Sequence, residues 1–162
     1  METLAPTKTT VTEVDTSKHC VFRCGESWYS VPAVAVREIV VPPDLVHLPF
    51  CPPSLLGLCH LRNEFIPVVS LTALLDYEAA ADRVGTERLL VFEGRSAWSL
   101  LISDSATLES VETSVAQESR SGDTLLGTAM FRDKIVRVLH PGRLHSKVQQ
   151  ILEKHWSPNH QA

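Results

Sequence analysis

The 162-residue sequence lacks any apolar run that approaches the roughly 20 residues a helix needs to cross a bilayer. Its first residues are rich in threonine and contain no apolar stretch, so we expect no signal peptide there. It also lacks an excess of positive charge. The formal net charge is -4, whereas a nucleic-acid-binding protein presents a basic surface to the phosphates. These absences favour a cytoplasmic protein that binds no nucleic acid and does not insert into a membrane.

Motifs of known catalytic chemistry are also missing. There is no G-x-S-x-G nucleophile elbow, no phosphate-binding glycine-rich loop and no H-E-x-x-H zinc motif. Carboxylates such as Glu26, Glu38 and Glu64 are scattered, and they form no pattern that acid–base chemistry requires. The sequence therefore favours a non-enzymatic interaction module that needs no cofactor.

The four cysteines are Cys20, Cys24, Cys51 and Cys59. None of their spacings is the C-x-x-C of a structural zinc site, and stable disulfides are not expected without an export signal. We expect the thiols to pack as small core hydrophobes. A metal- or redox-responsive module that uses Cys51, Cys59, His47 and His60 remains an alternative at this point.

Short strands separated by proline and glycine are predicted after residue 18, among them a single strand over ATLESVET, residues 106–113. The hydrophobic fraction of 44% and the charged fraction of 21% are those of a globular protein. Residues 55–61 and 65–69 predict a hairpin with its turn at Arg62-Asn63-Glu64, since asparagine tolerates a positive φ. Near the C-terminus the sequence predicts a helix with one apolar face, formed by Leu144, Val148, Ile151 and Leu152. We expect this face to pack on the protein's own core.

The chain contains an internal repeat at a constant offset of 70 positions. At this offset, identical residues pair Trp28 with Trp98, Leu55-Leu56-Gly57 with Leu125-Leu126-Gly127, and Arg62 with Arg132. Matches at one offset in two separated stretches favour a duplication over two unrelated hairpins that share a pattern. Each half would supply about five short antiparallel strands, which is typical of a small barrel that leaves no open edge.

Two stretches carry a resemblance to a known family. They are FRCGESWYSVPAVAVREI, from Phe22, and LPFCPPSLLGLCHLRNEFIPVVSLTALL, from Leu48. They resemble the CheW family of bacterial chemotaxis coupling proteins, whose pattern includes V-x-E-I and, later, N-L-R-G and P-V-x-D-L. The segments AWSLLISDSATLESV and LLGTAMFRDKIVRVL are similar to later parts of that pattern, so the resemblance covers roughly residues 18–145.

The resemblance implies an all-β fold class. It predicts two tandem SH3-like five-stranded β-barrel subdomains with short helices and a C-terminal helix. We expect a flexible tail over 1–17 and a CheW-like domain over 18–148. Within that domain we expect two intertwined subdomains, roughly 18–80 and 87–143, and a helix over 144–156.

The resemblance also implies a function and a set of partners. Members of this family are non-enzymatic adaptors that couple the cytoplasmic tips of methyl-accepting chemoreceptors to the histidine kinase CheA, in arrays at the inner membrane. The positions that match Val36, Glu38 and Arg62 belong to the family's binding surface, whereas Gly57 and Leu61 are structural, and Gly127 is the repeat counterpart of Gly57. From the residues alone, Arg62 is either a solvated turn residue or an interface arginine beside apolar flanks.

The sequence departs from the family pattern at several positions. His60-Leu61-Arg62-Asn63 stands in place of N-L-R-G, and Ser70, Ser103 and His140 replace aspartates. Asn63 can still form the turn, but the loss of the acidic residues leaves open which partner protein the chain binds. The alternatives are a diverged adaptor of another chemosensory or pilus-motility pathway, or the metal- or redox-responsive module.

Overall fold

The computed structural model describes residues 14–15, 18–75, 85–103, 106–110, 112–115 and 124–155, with the backbone alone at 14–15, 106–110 and 112–115. The strands in these ranges are β1 (Val14–Asp15), β2 (Lys18–Cys24), β3 (Ser27–Pro32), β4 (Val36–Val40), β5 (Leu45–Val46), β6 (Leu55–Leu61), β7 (Glu64–Val69), β8 (Arg88–Phe92), β9 (Trp98–Ile102), β10 (Ala106–Ser110), β11 (Glu112–Val115), β12 (Leu125–Phe131) and β13 (Lys134–Leu139). The helices are α1 (Leu71–Leu74) and α2 (Pro141–His155), and a 3-10 turn at Ala33–Ala35 precedes β4. In the described part of the chain, neither α-helix has the length and apolar character needed to cross a membrane.

The strands form two sheets that each draw on both halves of the sequence. Sheet one has the order β1-β11-β12-β13-β3-β2-β10, and sheet two has the order β4-β8-β9-β7-β6-β5. β2 and β3 lie in the sheet of the second half of the sequence, and β8 and β9 lie in that of the first half; we call these four the exchanged strands. Two parallel pairs, β13 with β3 and β7 with β9, connect them to the hairpins of the other half. The predicted ranges 18–80 and 87–143 therefore both contribute strands to both sheets.

Each sheet is rolled so that its ends approach one another. β10 lies at one end of sheet one and β11 lies next to the other end, yet only residue 111 separates them. β4 and β5 lie at the two ends of sheet two, and only residues 41–44 separate them. Such short links span the ends only if the sheet curls, because an extended residue reaches about 3.3–3.6 Å. The all-β prediction of two small barrels is confirmed.

One strand prediction was wrong in detail. The segment ATLESVET was expected to form a single strand, but it forms β10 and β11, which pair with β2 and β12. A strand that bends at a barrel corner leaves one neighbour and joins another, and so it divides in two. The same division, at β4 and β5, explains why sheet two has six strands rather than the expected five. Sheet one has seven because Val14–Asp15, inside the predicted tail, also pairs with β11.

The internal repeat is visible in the geometry. β6 and β7 coincide with β12 and β13 at the 70-residue offset, and both hairpins shift register at the same place, between Leu55 and Gly57 and between Leu125 and Gly127. Both two-residue turns have positive φ angles, at Arg62-Asn63 and at Arg132-Asp133. Since bulge and turn recur at matching positions, the two hairpins are structural copies.

The buried side chains form three clusters. The largest, which we call the central core, combines residues of both sheets, including Phe22, Tyr29, Leu90 and Trp98. Smaller clusters line sheet one around Val136 and Val138, and sheet two around Cys59, Ile66 and Val68. β2 and β8 lie between clusters and bury residues on both faces, and in β8 this makes Leu89–Phe92 a continuous apolar run. Each large apolar side chain buried in this way contributes about 1.5–3 kcal/mol.

The thiols of β2 behave as the sequence predicted. Cys20 and Cys24 are buried in the central core on either side of Phe22. Burial raises the pKa of the Cys20 thiol to about 11 and that of the Cys24 thiol to about 12, because a thiolate would lose its hydration there. All four cysteines are free, and these two are packing residues rather than reactive groups.

Helix α2 packs on its own domain, as predicted. Leu144 and Val148 are buried in the central core, and Ile151 and Leu152 pack against it. The helix begins at Pro141, three residues before the predicted start. His140 caps it, since its Nδ1 accepts a hydrogen bond from the backbone N–H of Arg143 at 3.1 Å. Proline favours the first helical position because it has no N–H to leave unpaired.

Candidate partner-binding surface

Arg62 lies at the tip of the β6–β7 hairpin. Its φ is +50° and that of Asn63 is +64°, the pair of left-handed residues that a type I′ turn requires. The prediction of a turn at Asn63 is confirmed. The turn also fixes the backbone direction of Arg62, whose side chain extends into solvent with 69% exposure.

Glu38 and Arg62 form a bidentate ion pair. The Arg62 Nε donates to both Glu38 carboxylate oxygens, at 3.0 and 2.9 Å, and an Arg62 terminal nitrogen lies 2.9 Å from Glu38 Oε2. The hydrogen bonds and charge of Arg62 lower the pKa of the Glu38 carboxyl, and Glu38 in turn raises the pKa of Arg62. Two residues that the resemblance selected 24 positions apart are thus in direct contact.

A second ion-pair group, which the sequence did not indicate, lies beside the first. Arg37 Nη1 is 2.9 Å from Glu64 Oε2, and Arg37 Nε is 3.1 Å from Glu93 Oε2. The hydrogen bonds to Glu93 and Glu64 raise the pKa of Arg37. No spacing in the sequence marks these contacts, because Arg37, Glu64 and Glu93 come together only in the folded sheet.

A bulge in β4 brings two consecutive charged residues to the hairpin. Val36 pairs with Phe92 and Glu38 pairs with Val91, so Arg37 is the extra residue of the strand. In a regular strand Arg37 and Glu38 would point to opposite faces, but a bulge re-aims one of them. Both side chains consequently reach toward the β6–β7 tip, and they link the edge strand of sheet two to its hairpin.

Val36 is placed differently from Glu38 and Arg62. It is half-buried and packs against the central core next to Ala35. Its side chain therefore contributes to packing beside the charged surface. The partner role of Val36 remains a prediction.

The motif residues Gly57, Leu61 and Gly127 have structural positions. A Cβ at Gly57 would lie 2.6 Å from the backbone oxygen of Val46, so β5 can approach β6 only because glycine is present. Leu61 packs against the core of sheet two. Gly127 stands at the matching bulge of β12 and pairs with both Val138 and Val115.

Phe65 is an exposed aromatic residue next to the turn, which sequence reasoning missed. It pairs with His60 across the hairpin, their rings are 5.0 Å apart, and Phe65 is 67% exposed. Alternation in β7 was an available signal, since the buried Ile66 and Val68 place Phe65 on the outer face. Exposed aromatic and arginine side chains are both enriched in interaction surfaces.

Comparison with known proteins identifies the family. The family model described as the CheW-like domain matches residues 18–149, most of the chain. The chain belongs to the CheW-like domain family. The chemotaxis protein CheW of Treponema pallidum (strain Nichols) is 32% identical over 68 residues, which are 42% of this chain and 40% of that protein. The aligned part thus spans less than half of that relative.

A solved structure confirms the fold of this CheW-like chain. The scaffolding protein TtCheW from Thermoanaerobacter tengcongensis superposes with a TM-score of 0.64 at 20% identity. The match covers 77% of this chain and 89% of that one. At this identity the likeness establishes the architecture of two SH3-like subdomains and the C-terminal helix.

Three departures from the CheW pattern occupy defined positions in the fold. Ser70 caps α1, because its hydroxyl accepts a hydrogen bond from the backbone N–H of Ala73 at 3.4 Å. His140, at the matching repeat position, caps α2. Serine and aspartate are similarly good N-caps, so the replacement at Ser70 keeps the local fold. The Ser103 backbone N–H donates to the carbonyl of Arg23 at 2.8 Å, a contact that does not depend on its side chain.

The residues of the metal-site alternative are dispersed by the fold. Cys59 is buried in the core of sheet two, His60 packs against Phe65, and His47 is paired with the carbonyl of Leu56. Among the residues with described positions, no three His, Cys, Asp or Glu side chains are close enough to hold a metal ion. The geometry offers this alternative no support.

Proposed function

We propose that this CheW-like chain is a non-enzymatic adaptor that couples chemoreceptors to a CheA-type histidine kinase in a chemosensory array. The observation that carries the proposal is the Glu38–Arg62 pair: two residues at positions that the family resemblance assigns to binding are in contact, with the Arg62 side chain exposed, in a chain that belongs to the family. The name of the Treponema relative, a chemotaxis protein, supports the same pathway. The proposed location is the cytoplasmic side of the inner membrane, at receptor arrays.

The geometry of the pair suits binding better than stability. Exposed ion pairs stabilise a fold little, because solvent screens them. The pair holds the Arg62 guanidinium in one orientation, which lowers the entropy lost when a partner docks on it. Phe65 and the carboxylates of Glu64 and Glu93 extend this surface with an apolar group and exposed charge.

The alternative setting is another chemosensory or pilus-motility pathway. Asn63 stands where the family has glycine, and Arg37 adds a cation bridged to two carboxylates beside the binding positions. These features change the surface without changing the fold, so they bear on the choice of receptor and kinase.

The experiment is co-purification of the full chain from its native cells, followed by identification of the bound proteins. We expect a CheA-type kinase and a methyl-accepting chemoreceptor in stoichiometric amounts. Recovery of pilus-motility homologues instead would select the alternative setting. Recovery of neither class of protein would refute the proposed coupling role.

A further inference from the structure

The charged groups at the β6–β7 tip are divided into two separate sets of contacts. Three glutamates and two arginines meet there, and they are Glu38, Glu64, Glu93, Arg37 and Arg62. Arg62 is paired with Glu38, whereas Arg37 is paired with Glu64 and Glu93. Among the residues with described positions, Glu38 is the only carboxylate in contact with Arg62. Part of the Arg62 guanidinium is thus left for other acceptors, on a side chain that is 69% exposed.

Glu64 is the carboxylate that belongs to the same hairpin tip as Arg62. It follows Arg62 by two positions, on the other side of the turn, and pairs with Leu61. Its side chain is 51% exposed, and Arg37 Nη1 lies 2.9 Å from its Oε2. Glu93 instead follows β8, and its backbone N–H donates to the carbonyl of Ala35, before the start of β4, at 2.8 Å. Of the two carboxylates that Arg37 binds, Glu64 is therefore the one placed to compete for Arg62.

Arg37 acts on the neighbouring ion pair as well as on its own partners. The bulge in β4 makes Arg37 the extra residue directly before Glu38. The pKa of the Glu38 carboxyl is lowered mainly by Arg62 and further by the charge of Arg37. Without Arg37, Glu64 and Glu93 would lose their cation, and Arg62 would be the remaining cation of this five-residue group.

The internal repeat shows that the charges around Arg62 occur as a set. β4 coincides with β10 at the 70-residue offset, and Arg62 coincides with Arg132. The other four positions of the group, 37, 38, 64 and 93, correspond in the other copy to Thr107, Leu108, Lys134 and Arg23. Where a lysine replaces the carboxylate two positions after the arginine, the cation of the edge strand is also replaced. The cation at 37 thus occurs together with the carboxylate at 64.

We propose that Arg37 is a positioning residue of the binding surface: it holds Glu64 and Glu93 away from Arg62, which stays paired with Glu38 alone and keeps N–H groups for a carboxylate of the partner. The inference rests on the proposed function. An arginine binds a carboxylate through parallel hydrogen bonds, so an exposed guanidinium favours an acidic group on the partner. A glutamate released by the loss of Arg37 would compete with that group and repel it.

The first test follows the side-chain Nε–H signal of Arg62 by nuclear magnetic resonance in the isotope-labelled full chain. The signal is assigned by its absence from Arg62→Lys. We expect Arg37→Gln to shift it, because Glu64 then binds Arg62. Adding Glu64→Gln to Arg37→Gln should return the signal to its wild-type position.

The matched control replaces the other partner of Arg37. Arg37→Gln with Glu93→Gln has the same net charge as Arg37→Gln with Glu64→Gln, but it keeps Glu64, so the Arg62 signal should stay shifted. The proposal is overturned if Arg37→Gln leaves the signal in place, or if Glu64→Gln does not restore it. Equal restoration by Glu93→Gln would also overturn it, since total charge rather than the placement of Glu64 would then be responsible. A bridge that merely ties β4 to the hairpin predicts no restoration, because Glu64→Gln does not rebuild the bridge.

The second test measures the affinity of the CheA-type kinase and of the chemoreceptor fragment from the same genome separately. Arg37→Gln should weaken the partner that Arg62→Ala also weakens by about three- to tenfold, and Glu64→Gln in the same chain should restore its affinity. Equal affinities of Arg37→Gln and the wild type for both partners would contradict the proposal. If neither partner binds the wild-type chain, the proposed function fails, whereas the signals of the free chain still decide the role of Arg37.

Discussion

At the scale of single residues, the surface of this CheW-like chain depends on a few side chains whose geometry is set by their neighbours. Glu38 and Arg62 could be selected from the sequence only through the family pattern, because a lone arginine in a turn has no distinguishing spacing. Arg37 could not be selected at all, since its role depends on a bulge that pairs it with Glu64 and Glu93. Bulges follow from strand pairing, which single-residue patterns do not encode.

The first residue-scale prediction concerns the titration of Glu38. Its pKa is lowered in the folded protein by Arg62, so the pair stabilises the native state above the ordinary carboxyl pKa of about 4.3. That contribution is lost as the pH falls through the lowered value. Arg62→Ala should raise the pKa of Glu38 toward the ordinary range, which carboxyl signals in a magnetic resonance titration measure directly.

The matched control for this titration is Arg95→Ala. Arg95 is exposed in the turn between β8 and β9, and its removal should leave Glu38 titrating as in the wild type. Identical titration curves for Arg62→Ala and wild type would contradict the ion pair.

The second residue-scale prediction concerns Gly57. Gly57→Ala places a Cβ 2.6 Å from the Val46 carbonyl oxygen, a backbone atom that cannot rotate away. We expect a loss of about 1–3 kcal/mol in the free energy of unfolding, because β5 must shift. Gly94→Ala is the control, since its Cβ would meet no atom closer than 3.7 Å. If Gly57→Ala melts at the wild-type temperature in thermal denaturation, the close approach of β5 is wrong.

At the scale of elements, the hairpins and α2 were predictable and the strand partners were not. Alternating apolar residues and the Asn63 turn define β6 and β7 locally, and the offset of 70 carries the same prediction to β12 and β13. The start of α2 was missed because its cap is a histidine, His140, which is not among the preferred N-cap residues. The division of ATLESVET into β10 and β11 was missed because a barrel corner has no necessary sequence mark.

The element-scale prediction concerns the docking of α2. Leu144 is fully buried in the central core, so Leu144→Ala should cost about 2–5 kcal/mol by removing apolar contact and leaving a cavity. Gln149→Ala lies on the exposed side of the same helix and should leave stability nearly unchanged. Urea denaturation of both variants measures the difference. Equal midpoints for the two would show that α2 does not contribute to the core.

At the scale of the whole molecule, the two halves of the chain are interleaved rather than joined end to end. The repeat predicted two similar barrels, and the structure has them, but β2 and β3 complete the sheet of the second half and β8 and β9 that of the first. An offset in the sequence shows that two halves are alike. It carries no information on which half each strand joins, because strand partners are fixed by pairing in the folded sheets.

The whole-molecule prediction is that both sheets unfold together. The central core takes side chains from each sheet, and the exchanged strands tie each half to the other. We therefore expect one cooperative unfolding transition, in which the curves from far-ultraviolet circular dichroism and tryptophan fluorescence coincide. Two separated transitions would indicate barrels that are stable on their own and would contradict a shared core.

The central claim is that the Glu38–Arg62 surface lets this chain join a receptor to a kinase. The most direct measurement is the co-elution of the CheA-type kinase and a chemoreceptor fragment from the same genome, with and without the full chain. We predict that the two co-elute only when the wild-type chain or the Arg95→Ala control is present, and that Arg62→Ala loses the joint complex while remaining folded. Joint complexes that form equally well with Arg62→Ala, or that never form with the wild-type chain, would contradict the account.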